Sequence, residues 1–88
     1  MPLYARTLLV TGPPDEVEIG ARGHREHLRE LKLRGKLRAA GELANGDGFL
    51  EIFEAKDLLE AQALGEASPL VADGLATWML REWTELEL

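Results

Sequence analysis

The tetrapeptide Asn45-Gly46-Asp47-Gly48 constrains this chain more than any other feature. Asn-Gly and Asp-Gly readily supply the positive backbone angles of the tight turns whose twist matches that of paired strands. Before it, Leu37, Ala39, Gly41 and Leu43 alternate with Arg38, Ala40 and Glu42, which is strand periodicity. After it comes Phe49-Leu-Glu-Ile-Phe-Glu54, a run rich in β-formers. The spacing therefore predicts an antiparallel hairpin at the centre of the chain.

The flanking segments complete the pattern. Tyr4 to Val10 reads as a first strand, stopped by Gly12-Pro13-Pro14. From about Glu16 to Arg34 the period becomes helical, with Gly35 placed to end the helix in the left-handed conformation. His24, Leu28, Leu31 and Gly35 share one narrow stripe of that helix; His27 lies on its edge and Leu33 on the opposite face. Asp57-Leu-Leu-Glu60 is an acidic cap opening a second helix toward Gly65. Ser68-Pro69 starts a short helical turn that ends at Asp73-Gly74, and Leu75 to Leu86 favours a last strand. The order β-α-β-β-α-β makes residues 1–88 one α+β domain, a ferredoxin-like split sandwich with its helices on one sheet face. Placing Leu50 and Ile52 toward the helices leaves Phe49 and Phe53 on the other face. An uncovered aromatic face predicts a second copy packed sheet against sheet, a homodimer or higher homo-oligomer.

Composition narrows the function classes. A chain of 88 residues with no cysteine cannot staple itself with disulfides, use thiol chemistry or hold a Cys-ligated metal, which again points to a partner subunit. Ten Lys+Arg against 16 Asp+Glu give a net charge of −6, and the basic residues are interleaved with Glu, so a nucleic-acid partner is not expected. No apolar stretch approaches a membrane span or a signal-peptide core. A cytoplasmic location fits, and neither a cofactor nor a metal is expected.

His24 is the main candidate for chemistry. Partial burial and the positive end of its helix both favour a neutral imidazole, which could take a proton from a phenol or from carbon beside a carbonyl. A buried His that merely donates to a backbone carbonyl is the plainer alternative. Ser68 reads most simply as a helix cap. Asp73 or Glu42 could supply an orienting carboxylate. His24 and His27 have the spacing to share a metal, but no third ligand follows from the sequence, and His27 is expected to be solvated. Arg6, Arg38, Glu51 and Arg81 fall within strand patterns; they are ion-paired, or Arg6 and Arg38 clamp a ligand carboxylate. Trp78, Trp83, Phe49 and Phe53 read as core and interface.

From His24 to Leu75 the chain resembles the YciI-related family of small dimeric α/β-barrel proteins. The shared features are His24 eleven residues before Gly35, the run Gly35, Leu37, Ala40, Gly41, the hairpin into Gly48-Phe49, the capped helix Asp57 to Ala61, and Ser68, Pro69, Leu70, Gly74, Leu75. The resemblance implies a dimeric α/β barrel and pairs the residue at position 68, an Asp in typical members, with the histidine matching His24. It also implies small-molecule chemistry of lyase, isomerase or dehydrochlorinase type. Two readings follow: an enzyme using His24 as general base on a carbonyl-bearing or phenolic compound in a cleft between helix and sheet, with Arg6, Arg38 and Ser68 contacting the ligand, or a non-catalytic dimeric module that binds a small ligand or a protein.

Overall fold

The chain turns where its glycines permit. Gly35 follows the first helix with φ +74°, and Gly46 carries the hairpin turn with φ +72°. A computed structural model describes all 88 residues as β1 (Leu3–Val10), α1 (Pro14–Leu33), β2 (Leu37–Glu42), β3 (Gly48–Glu54), α2 (Leu58–Glu66), α3 (Pro69–Ala72) and β4 (Ala76–Trp83). The strands form one antiparallel sheet in the order β2-β3-β1-β4, the ferredoxin-like arrangement. Asp57 caps α2 by accepting from the Glu60 amide at 2.8 Å, as its acidic start predicts. The last strand stops at Trp83, short of the expected Leu86. Trp83 lies opposite Leu3, the first residue of β1, so the neighbouring strand offers no further partner.

The helices cover one face, and the core on that face is divided. One cluster joins Tyr4, Leu28, Leu31, Leu37 and Phe53 with residues of α2; the other joins Leu8, Phe49, Leu70 and Leu75. Arg6 falls between Tyr4 and Leu8 along β1, as Glu51 falls between Phe49 and Phe53 along β3. The buried stripe of α1 is Gly20, His24, Leu28 and Leu31, with Leu33 exposed on the opposite side.

The facing of β3 is the reverse of the expectation. Phe49 and Phe53 are buried beneath the helices, and the open face carries Leu9, Leu50 and Met79. Side chains alternate along a strand, so Phe49, Glu51 and Phe53 must face together. Two aromatic rings take their places in the core, and Glu51 goes with them because a buried cation awaits it. The open face is still apolar: Leu50 and Met79 lie on either side of Thr7 in one cross-strand row. The exposed apolar face is therefore composed of different residues from those expected.

Candidate functional site

Four polar side chains from four elements meet beneath the helices, and none is exposed. They are Arg6 of β1, His24 of α1, Glu51 of β3 and Ser68 at the start of α3. Arg6 and Glu51 are direct partners in the antiparallel register of β1 and β3, so the sheet itself sets them side by side. Arg6 Nε donates to Glu51 Oε1 at 2.7 Å. Nη2 stands at the same distance from that oxygen as an ion-pair contact, without the alignment of a hydrogen bond. The guanidinium also lies over the rings of Phe53 (5.2 Å) and Trp78 (6.0 Å), whose π faces favour the cation. Gly65 of α2 leaves room for it: a Cβ there would sit 2.6 Å from Nη1.

The second carboxylate oxygen, Oε2, is 2.5 Å from His24 Nε2, and His24 Nδ1 is 2.5 Å from Ser68 Oγ. An ionised carboxylate can only accept, so Nε2 carries the hydrogen of its bond. In the neutral ring Nδ1 is then an acceptor, and the Ser68 hydroxyl donates to it. Phe49 packs on the imidazole with ring centroids 4.6 Å apart. The result is a continuous chain, Ser68–His24–Glu51–Arg6, with the histidine oriented at both nitrogens.

Several expectations change here. Ser68 occupies the N-cap position of α3, yet its side chain makes no cap hydrogen bond, because the hydroxyl is directed to His24. The cap reading is thus corrected, and the pairing implied by the resemblance is geometrically present with Ser in place of Asp. The carboxylate beside His24 is Glu51. Glu42 instead pairs with Arg25 at the surface, and Asp73 is exposed. His24 lies ten residues beyond Pro14, in mid-helix, so the dipole at the helix start has no bearing on it. The ring is fully buried rather than partly so, and none of the three cavities is lined by it. His27 is not simply solvated: its Nε2–H donates to the Leu64 carbonyl at 2.8 Å. Arg38 lies on the exposed edge strand, 3.6 Å from Glu85, and does not share a site with Arg6. The expected two-arginine clamp is therefore not assembled.

A cavity of about 410 Å³ lies between α1 and α3 and is lined by Gly20, Gly23, Pro69 and Leu75 with Glu16 and Asp73. Gly23 precedes His24 and Pro69 follows Ser68, so the cavity adjoins the buried pair through these two neighbours. The signal for Glu51 was present in the sequence: a charge between two phenylalanines in mid-strand, matched by Arg6 between Tyr4 and Leu8.

The domain model of the YCII-related family matches residues 7–84. The uncharacterised protein YjpA of Bacillus subtilis (strain 168) is 36% identical over 61 residues, which is 69% of this chain and 72% of that protein. Among solved structures, the 5-chloro-2-hydroxyhydroquinone dehydrochlorinase TftG of Burkholderia phenoliruptrix AC1100, in complex with 2,5-dihydroxybenzoquinone, superimposes with a TM-score of 0.68. It is 20% identical, with 93% of each chain covered. That likeness is one of fold.

Proposed function

The chain belongs to the YCII-related family, and from that premise we propose that it is a small-molecule enzyme of proton-transfer type, a lyase, isomerase or dehydrochlorinase, with His24 as general base. The observation that supports this reading is the buried chain Ser68–His24–Glu51–Arg6. A general base needs an orienting partner and a counter-charge for the imidazolium it becomes. Glu51 supplies both, and Arg6 fixes Glu51. The substrate proton goes to Nδ1, the nitrogen facing Ser68, while Nε2 keeps its bond to the carboxylate. Substrate approaches from the cavity between α1 and α3, whose wall toward His24 is Gly23 and Pro69.

The substrate class is phenolic or carbonyl-bearing, as 2,5-dihydroxybenzoquinone is in the related dehydrochlorinase structure. The working unit is a homodimer joined through the open sheet face of Leu9, Leu50 and Met79, and a cytoplasmic location suits a chain without cysteine. The test follows chloride release from chlorinated hydroquinones and, in D₂O, proton exchange beside carbonyls by NMR. His24→Ala is expected to abolish any turnover found. Turnover retained in that variant, shown to be folded by circular dichroism, overturns the assignment.

The complete burial of all four groups favours a second reading, a non-catalytic dimeric module that binds a small ligand or a protein. There the network serves stability alone. Saturable binding of 2,5-dihydroxybenzoquinone without turnover of any phenol or carbonyl compound decides for it.

A further inference from the structure

We propose that Ser68 is a nucleophile, and that Ser68, His24 and Glu51 form an acyl-transfer triad acting on small activated esters. The proposal concerns the same buried chain as the proton-transfer reading, but it needs a different atom to react. A serine hydroxyl is a poor nucleophile unless a base removes its proton during attack, and that base works best when a third group orients it. Both conditions are met here. Ser68 Oγ is 2.5 Å from His24 Nδ1, and His24 Nε2 is 2.5 Å from Glu51 Oε2. Ser68 stands where a side-chain oxygen ordinarily accepts from a helix amide, yet it makes no such bond; its hydroxyl instead meets the imidazole, donating to Nδ1 of the neutral ring. Such a triad is recognised by roles and distances, and the roles are filled whichever ring nitrogen faces the serine.

Entry comes from the cavity between α1 and α3. Its wall toward the Oγ–Nδ1 bond is one glycine and one proline thick: a Cβ on Gly23 would meet Pro69 Cγ at 2.9 Å, so the two residues touch. Neither His24 nor Ser68 lines that cavity, so Gly23 and Pro69 must part for an ester to reach Oγ, which restricts the acyl group to a small one such as acetyl. In the reaction the Ser68 proton passes to Nδ1 as Oγ bonds to the acyl carbon, and the bond from that carbon to the phenolate oxygen breaks with its electron pair. The imidazolium, held against Glu51, gives the Nδ1 proton to the departing phenolate, which leaves as phenol, and the ring is neutral again. A water then adds to the acyl carbon, giving its proton to Nδ1, and Oγ leaves with the proton returned by the ring. The sum is ester plus water to acid plus phenol. Because the site is buried, water arrives slowly and the acyl-serine accumulates.

The experiment incubates the full chain with p-nitrophenyl acetate and follows both nitrophenolate release and intact mass, with peptide mapping of the adduct. A single acetyl on Ser68 is expected in the folded protein and none on Ser68 in urea. His24→Gln, checked for folding by circular dichroism, should slow acetylation by about 100-fold or more, and Glu51→Gln should slow it as well. Ser68→Ala should carry no adduct on that segment. A folded protein that acetylates only lysines, or a His24→Gln variant that labels at the parent rate, overturns the triad. Neither result touches the proton-transfer reading, which is judged on chloride release and deuterium exchange.

Discussion

Replacing Arg6 with Met tests whether the network is held by charge. The parent pair is buried to within 1% on both sides, with two nitrogens of Arg6 at 2.7 Å from one oxygen of Glu51. Met fills the aliphatic part of the space but leaves the carboxylate inside the core with His24 as its remaining partner. Breaking a buried pair from one side costs about 3–5 kcal/mol, whereas removing both charges can be nearly neutral. For a domain of this length total stability is about 4–13 kcal/mol, so Arg6→Met removes a large share of it. Adding Glu51→Leu should restore most of the loss. What remains is the His24 Nε2–H, now without an acceptor, worth about 1–3 kcal/mol. Urea titrations followed by far-ultraviolet circular dichroism give the numbers: with m near 1–1.5 kcal/mol/M, the single variant should lose about 2–5 M in midpoint. The double variant should return to within about 1–3 kcal/mol of the parent. If Arg6→Met costs less than about 1 kcal/mol, or the double variant is weaker than both singles, the charges are not coupled as the geometry requires.

Three further outcomes are expected. Gly65→Ala places a methyl 2.6 Å from Arg6 Nη1 and should cost about 1–3 kcal/mol, while Gly41→Ala, with nothing within 4 Å, should be neutral in the same urea titration. The Glu60 carboxyl is held below its ordinary 4.5 first by the Lys56 amide it accepts from and then by the charge of Lys36. A carboxyl depressed in the folded state contributes stability that is fully present above 4.5 and lost as pH falls through the folded value, so Glu60→Gln should flatten the acid limb of the stability profile. Met79→Glu, in the row with Thr7 and Leu50, should convert a dimer to a 9.7 kDa monomer by light scattering; a parent already monomeric at micromolar concentration refutes the sheet-to-sheet interface.

Local chemistry made the fold legible. Asn45 to Gly48 announced the hairpin, Gly35 the end of α1 and Asp57 the start of α2, because each of those signals depends on a few neighbouring atoms. The site was less legible because it depends on neutralisation across the sheet. Placing Leu50 and Ile52 toward the helices puts Glu51 on the far face with Phe49 and Phe53, and only Arg6, 45 residues away, turns that carboxylate into a core group. Ser68 misled in the same way: its position satisfies every local rule for a cap, and its hydroxyl is claimed by a histidine 44 residues distant. His24 was placed correctly on its stripe by helical period, but the companions that define its chemistry lie on other elements.

The four members of the network also enter the chain in separate places, on β1, α1, β3 and α3, and the bonds joining them span 45, 27 and 44 residues. Loops of that size close late, after local helices and the central hairpin have formed. The network is therefore expected to form after the folding nucleus, as a latch on the finished domain. Its removal should leave the refolding limb of the chevron in place and raise the unfolding limb. For a small chain without disulfides, such a latch converts modest equilibrium stability into a long native lifetime.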